Sequence, residues 1–377
     1  MAKLSTQPPK GTNDWLPEEL KIRQYIFNIW RQVCLNYGYT EYLTPIIENA
    51  EIYQAKSGED VGGKELMMFQ DKAGRNLAIR PEMTPSVTRL VSKIYGDQPK
   101  PIRYFSIANF VRNEKPQRGR NREFWQLNFD IFGSQSANAD LEIMQMSLDI
   151  MLAFNPPVNS FTLRISSRNL LNGLITMMNV KAKNKTEFLR ALDKYDKLNK
   201  NDFNNRLTDL GVSEDDLQKI HKFMTASVDN SAGLESIIKE TPELLSAYQE
   251  IQEIIAKLTQ LGYGQWIAFD PSIIRGFDYY DGLVFEVFDN HQDNKRALFG
   301  GGRYNGLAEL FGSQSFPAVG CAPGDETTRL FLDSWGLLEK IKQELLTEVY
   351  YLPILDAELE TETQKLAKQL RGEGKRV

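Results

Sequence analysis

The stretch from residue 102 to 133 sets the architecture: Ile102-Arg-Tyr-Phe-Ser-Ile-Ala-Asn-Phe-Val-Arg112, Asn-Glu-Lys-Pro-Gln-Arg-Gly-Arg-Asn-Arg122, then Glu123-Phe-Trp-Gln-Leu-Asn-Phe-Asp-Ile-Phe-Gly133. Two apolar-rich runs flank a polar loop, which predicts an antiparallel strand pair. Period-two alternation puts Trp125, Leu127, Phe129 and Ile131 on one face of the second strand. Gln126, Asn128 and Asp130 fall on the other face with Phe124. An amide and a carboxylate two strand positions from each other suit a ligand carrying an amine or an N–H. The plainer reading is an antiparallel sheet with one wet face.

The connecting loop carries Arg112, Lys115, Arg118, Arg120 and Arg122, five cations in eleven residues. Guanidinium groups stay charged and grip phosphate bidentately, which is what a triphosphate or an RNA backbone requires. A solvated charged hairpin is the alternative. Gly119 would let the backbone come close to a bound group. Upstream, an extended Arg80-Pro-Glu82-Met-Thr84 would point Arg80, Glu82 and Thr84 the same way, although such a peptide is equally a surface turn.

Downstream, Arg275-Gly-Phe-Asp-Tyr279-Tyr280 gathers a cation, a carboxylate and two phenols in six residues, and Phe299-Gly-Gly-Gly-Arg303-Tyr304-Asn-Gly306 follows it. A fixed cation there can meet charge building on phosphoryl oxygens. The phenols can hydrogen-bond a ring nitrogen or simply pack. The glycines form neither a P-loop nor a dinucleotide-binding fingerprint.

The chain has 377 residues, a formal charge of −5, two cysteines and two histidines. That length predicts two or three compact units. Cys34 and Cys321 lack metal-ligand spacing and read as two reduced thiols of a cytoplasmic protein. With only His221 and His291, a His-based zinc site or a Ser-His-Asp triad has no material, so no metal site made of protein ligands alone is expected. The start carries no hydrophobic signal core and no run spans a bilayer, so neither export nor a membrane partner is expected. The acidic balance argues against non-specific nucleic-acid coating, and DNA is not expected as a partner, while a local basic patch for one folded RNA remains open.

Along the chain, apolar spacing predicts a helix from Pro17 to Tyr37 and a strand over Tyr39–Pro45. A hairpin turn is expected at Lys72–Arg75, leading into Asn76–Arg80. From about 169 to 261 the texture turns helical, an insertion within a β-rich domain. Its lysines at 181, 183, 185, 194, 197 and 200, with Arg190, read as a solvated face or as an RNA contact. Strands are expected again at Trp266–Phe269 and Gly282–Phe288. A helix over Ser334–Thr347, a buried strand over Val349–Leu355, a helix over Thr361–Leu370 and a further strand start at Gly372–Val377 close the sequence. The expected division is a catalytic domain over 1–333, a linker helix over 334–347 and a partial third domain over 348–377.

Together these pieces resemble class II aminoacyl-tRNA synthetases, and specifically the histidyl-tRNA synthetase family, over about residues 8–330 with an abbreviated echo beyond 348. The helix and strand ending at Pro45 resemble its first motif, Tyr104–Gly133 its second. The Arg275–Tyr280 and Gly300–Tyr304 runs resemble the two stretches peculiar to the histidine enzymes. The resemblance implies an α+β fold: an antiparallel sheet flanked by helices, with a helical insertion and part of the C-terminal α/β domain that in this family grips the anticodon. It implies a homodimer built on the first motif. It also implies ATP with Mg2+, L-histidine and tRNA(His) as cofactors, substrates and partners, in two steps: activation of histidine to histidyl-adenylate, then transfer to the tRNA 3′ end.

By motif position, Arg112 would hold the α-phosphate, and Glu114 and Arg120 would serve ATP. Glu82, Thr84 and Gln126 would take the substrate's amino group. Asp130 and Tyr280 would take the imidazole nitrogens, with Tyr279 and Tyr304 in the same histidine pocket. Arg275 would stabilise the transition state, and Lys115 and Gln117 would read the tRNA acceptor end. One departure stands out. The family's third motif ends Gly-x-Glu-Arg, whereas Gly324-Asp-Glu-Thr-Thr-Arg329 places Thr327 where arginine is expected. Arg329 comes two residues late, roughly 200° round a helix, and cannot simply substitute. Two rivals share the fold: the histidine-sensing regulatory subunit of ATP phosphoribosyltransferase, and a class II synthetase for another amino acid such as proline or threonine. The first is opposed by the full set of phosphate cations, the second by the fit of Gln126, Asp130 and Tyr280 to an imidazole.

Overall fold

The computed structural model describes residues 4–55, 60–195, 198–226, 232–273, 280–294, 296–345 and 348–377. By contacts the chain divides into two units, 1–335 and 336–377. In the first, the strands among the described residues are β1 (Thr40–Glu41), β2 (Ile47–Asn49), β3 (Met67–Gln70), β4 (Asn76–Ile79), β5 (Ile102–Val111), β6 (Glu123–Phe132), β7 (Phe161–Ser167), β8 (Ile267–Phe269), β9 (Leu283–Asp289), β10 (Ala297–Arg303) and β11 (Ala318–Cys321). Eight of them form one sheet in the order β1-β5-β6-β11-β10-β9-β7-β8, and β2-β4-β3 form a small second sheet. The large sheet is antiparallel from β5 through to β7, with parallel pairs only at its two edges.

β5 and β6 pair without a break from Ile102↔Phe132 to Val111↔Glu123. This long register fixes the two faces read from the sequence, because opposite residues of an antiparallel pair share a face. On one face Leu127, Phe129 and Ile131 are fully buried. Against them pack α1 (Pro17–Asn36), which carries Ile26 and Trp30 inward, and α11 (Asp325–Ser334). Each fully buried apolar side chain contributes about 1.5–3 kcal/mol. The opposite face keeps apolar residues at its ends, where Phe110 and Phe124 stack at one and Phe132 meets Phe316 at the other. Gln126, Asn128 and Asp130 lie between.

The remaining helices of this unit are α2 (Glu51–Gln54), α3 (Thr84–Ile94), α4 (Ala137–Leu152), α5 (Arg168–Met177), α6 (Lys185–Leu192), α7 (Lys200–Asp209), α8 (Glu214–Met224), α9 (Ala232–Ile238) and α10 (Pro242–Leu258). Helices α5 to α10 are the helical stretch read from lysine, asparagine and leucine texture. Asn199, Ser213 and Thr241 cap three of them, each accepting a backbone N–H of the first turn.

Three expectations change. The strand over Tyr39–Pro45 reduces to Thr40–Glu41, parallel to Tyr104–Phe105; after Tyr42 N–H donates to Phe105 O at 2.8 Å the chain leaves the sheet edge, with Leu43 exposed. The helix expected over Ser334–Thr347 is split: α11 ends at Ser334, Gly336 sits at φ +67, and a helix resumes as α12 (Leu337–Glu344) in the second unit. The buried strand over Val349–Leu355 does not form. Among the described residues of the second unit, which also holds α13 (Glu360–Gly372), a single parallel bridge joins Val349 to Arg376. Tyr351 and Leu355 are 86% and 84% exposed, since two extended segments cannot build a covered sheet.

Candidate active site

The polar row of β6 opens into a cavity of about 310 Å³ between the sheet, the β5–β6 loop and the N-terminus of α11. Glu82, Thr84, Arg112, Glu114, Arg120, Gln126, Asp130, Tyr280 and Tyr304 all line it. Residues dispersed over more than two hundred positions are thus brought to one place. Arg275 and Tyr279 lie outside the described residues. Lys115 and Gln117 sit on the loop beside the cavity without lining it. Neither histidine lines it, and both cysteines are buried free thiols.

At one end the floor carries a buried carboxylate and a phenol. Asp130 is 4% exposed and accepts a hydrogen bond from the Tyr304 hydroxyl at 2.6 Å. Burial pushes its carboxyl from 3.8 up to about 7, with the Tyr304 bond acting in the opposite direction. Tyr304 is raised well above 10 by burial and then by the Asp130 charge, so its phenol stays a donor. Gly320 makes the space for this carboxylate: a Cβ there would stand 1.9 Å from Asp130 Oδ1. The glycine signal in the sequence pointed to β10; the closest approach is on neighbouring β11.

The segment Arg80–Thr84 behaves differently from the extended reading. Met83 is already in the helical region and Thr84 opens α3, so Glu82 and Thr84 reach the cavity from a strand-to-helix corner. Arg80 does not join them. It is 3% exposed, and its guanidinium donates to the carbonyls of Thr44 at 2.8 Å and Asn109 at 2.9 Å. Arg303 likewise turns away and pairs with Asp140.

At the other end the cavity is cationic. Arg112 lies 5.0 Å over the Phe124 ring and donates to the Pro81 carbonyl at 3.0 Å. Arg120 meets Glu114 at 3.3 Å. The loop tip is a tight turn, with Arg120 N donating to Gln117 O at 2.9 Å and Gly119 at φ +76, a conformation that favours glycine. Arg118 of the same loop also lines the wall, and one wall cation escaped the sequence reading, Arg296. Arg296, just ahead of the glycine strand, donates to Gln117 Oε1 at 2.9 Å and ties the loop to the β9–β10 connection.

Thr327 faces this end. Its hydroxyl donates to Leu298 O at 2.8 Å and Gly324 O at 3.1 Å, so it presents no charge. Arg329 is on the far side of α11, bonded to Glu19 of α1 at 2.7 Å, as the helical offset requires. Arg23 completes that seam, reaching Asp325 at 2.5 Å and Glu326 at 2.8 Å.

A histidyl-tRNA synthetase family pattern matches residues 11–324, which covers every strand described and the cavity lining as far as Gly324. The chain belongs to the histidyl-tRNA synthetase family. It is 40% identical to the histidine–tRNA ligase of Leptospira biflexa over 98% of this chain and 83% of that protein. It is 36% identical to the ligase of Pyrococcus horikoshii over 93% of this chain and 80% of that one. Two solved structures share the fold. One is titled an ATP phosphoribosyltransferase regulatory subunit/histidyl-tRNA synthetase from Bacillus halodurans, with TM-score 0.83 and 23% identity over 100% of this chain and 93% of that one. The other is the histidyl-tRNA synthetase of Nostoc, with TM-score 0.80 and 23% identity over 100% and 86%. Within this family the combination of Thr327 with an outward-turned Arg329 leaves the cationic end of the cavity to Arg112, Arg118, Arg120 and Arg296 among the described residues.

Proposed function

We infer that this chain is a histidine–tRNA ligase that activates L-histidine with ATP and passes it to tRNA(His). The observation that carries the reading is one cavity with a hydrogen-bonding floor for a polar ring at one end and a cluster of arginines at the other. The curated relatives are ligases, and the regulatory-subunit alternative gains nothing over this reading.

In the proposed mechanism the amino group of histidine is held by Glu82, Thr84 and Gln126, and its ring by Asp130 with Tyr280. Tyr304 keeps Asp130 in place. Tyr279, outside the described residues, belongs to the same pocket. Arg112 grips the α-phosphate, with Glu114 and Arg120 serving the nucleotide. The substrate carboxylate attacks the α-phosphorus, an O–P bond forms, the bond to the bridging oxygen breaks, and pyrophosphate leaves. Arg275 neutralises charge on the non-bridging oxygens as it builds. A ribose hydroxyl of the tRNA 3′ end then attacks the acyl carbon and AMP departs. Lys115 and Gln117 are assigned to the acceptor end. Mg2+ usually uses one or two carboxylates beside substrate phosphates. Glu114 and Glu326 on the cavity wall fit that pattern and would hold it, where it supplies charge neutralisation to the triphosphate.

Further parts of the reading are a cytoplasmic homodimer, and an interface at the exposed Leu43, Ile46 and Ile47. The test is histidine-dependent ATP–pyrophosphate exchange on the purified chain, without tRNA. Exchange specific to histidine is expected, and Arg275→Ala should slow it by orders of magnitude while leaving histidine binding nearly unchanged. No exchange with any amino acid would overturn the ligase reading.

A further inference from the structure

Among the described residues that line the cavity, Arg296 is the one cation outside the β5–β6 loop. It stands just ahead of β10, where the strand is irregular. Ala297 pairs with Phe288 and Phe299 with Val287, so two steps along β10 answer one along β9. Such a bulge re-aims side chains and takes a residue out of the ladder. The residue between them is Leu298, and its carbonyl accepts from the Thr327 hydroxyl at 2.8 Å. The first turn of α11 is therefore bonded to the backbone two residues beyond Arg296. That turn brings no cation of its own to the cavity, because Thr327 is neutral and Arg329 is held by Glu19.

The charge of Arg296 is not offset by its partner. Among the described residues its acceptor is Gln117 Oε1 at 2.9 Å, an uncharged amide oxygen. A guanidinium has five N–H donors, so one such bond leaves most of the fork uncommitted. Arg120 differs, being paired with the Glu114 carboxylate at 3.3 Å. In the sheet order β5-β6-β11-β10, Arg112 and Arg296 flank the cationic end from its two sides. A nucleotide held by its α-phosphate at Arg112 has two parts left to place. One is a neutral base with its sugar; the other is the β- and γ-phosphates, which carry most of the charge. A guanidinium without a carboxylate partner is complementary to the phosphates.

We propose that Arg296 is a further ATP-binding residue, gripping the β- and γ-phosphates and supplying from β10 the charge that α11 does not bring. It stays on these phosphates as they leave as pyrophosphate. This deepens the ligase reading and rests on it. The competing role is structural, since the bond to Gln117 also ties the arginine loop to the β9–β10 connection, and the test separates the two.

The experiment titrates ATP and AMP, each with magnesium and without histidine, into wild type, Arg296→Gln and Arg296→Lys by calorimetry. It also measures the KM for pyrophosphate in the exchange reaction. Wild type should bind ATP more tightly than AMP. Arg296→Gln should weaken ATP several-fold, leave AMP unchanged, and raise the KM for pyrophosphate by a similar factor. Arg296→Lys keeps the charge without the planar fork and should recover part of the preference for ATP. AMP lacks the outer phosphates, so its affinity reports whether the loop and the fold are intact. Three results overturn the proposal. Equal affinity for ATP and AMP in wild type would mean that the outer phosphates are not gripped. ATP and AMP weakened together in Arg296→Gln would make the Gln117 bond a clasp on the loop and nothing more. An unshifted preference for ATP in Arg296→Gln would place the phosphates elsewhere. Absence of histidine-dependent exchange in wild type would overturn the ligase reading as well, whereas wild-type exchange with an unshifted Arg296→Gln variant overturns this proposal alone.

Discussion

Asp130 and Asp325 are both buried, and burial pushes both carboxyls up to about 7. Their surroundings differ. Asp325, in the seam between α1 and α11, receives Arg23 at 2.5 Å and the Trp125 N–H at 2.9 Å. Arg23 in turn holds Glu326 and Glu19 and lies 5.0 Å from the Trp15 ring. Asp130, on the cavity floor, has one neutral donor among the described residues, the Tyr304 hydroxyl at 2.6 Å. A carboxylate has about four acceptor sites. In the seam they are taken up by the protein; on the floor capacity is left for a ligand. Equal shifts in acidity therefore mark a structural group in one place and a binding group in the other, and the partners tell them apart.

Breaking the seam should have the largest effect. Arg23→Ala leaves the Asp325 carboxylate buried without its cation, which typically costs 3–5 kcal/mol, about a third or more of a domain's stability. A urea titration should show the midpoint falling accordingly. A loss below about 1 kcal/mol would mean the seam is not what holds α11 to α1.

The floor should respond in the opposite sense. Asp130→Asn removes a buried charge, so stability at pH 8 should hold or rise. Histidine loses a charged acceptor worth about 1.5–3 kcal/mol, a rise of roughly 10- to 150-fold in KM. The pH dependences of stability and activity should oppose each other too. Between 3.8 and about 7 the folded chain keeps a proton on Asp130 that the unfolded chain has released, so this group's contribution to stability falls as pH rises through that window. In the proposed mechanism histidine needs the ionised carboxylate, so its binding should strengthen as pH rises through about 7. In Asp130→Asn only the titration of the substrate ring, near 6.5, should remain in the binding profile. A stability slope of the same sign should persist from Asp325. An unchanged binding profile in the variant would place the titrating acceptor elsewhere.

The floor was legible in the sequence and the seam was not, for a physical reason. β6 is an antiparallel strand of ten residues whose apolar face packs on the helices and whose other face floors the cavity, so period-two alternation assigns Gln126, Asn128 and Asp130 to one side. The loop arginines were legible by their density. Arg23 and Asp325 are 302 residues apart, and no local pattern announces a pair at that separation; Arg23 reads as an ordinary charge on an amphipathic helix. Arg80 failed for a related reason. Its neighbours Glu82 and Thr84 do reach the cavity, but its own guanidinium is drawn to the Thr44 and Asn109 carbonyls, groups invisible to a five-residue window. Val349–Leu355 failed because an apolar run states a preference for burial, not the presence of strands to bury it.

Arg329 offers the finest cut between the two regions. The sequence puts it roughly 200° round the helix from Thr327, and the structure puts it in the seam, bonded to Glu19. Both side chains are a little over a quarter exposed, so this outer pair should matter far less than Arg23 with Asp325, about 1 kcal/mol or less. Arg329→Gln should therefore lower the urea midpoint slightly and leave the KM for ATP in the exchange reaction unchanged. Arg296→Gln, by contrast, changes a cation on the cavity wall and should raise that KM several-fold without moving the midpoint. A several-fold rise in the Arg329 variant would put that guanidinium at the phosphates during turnover, and would mean that α11 does not keep one orientation between its two regions.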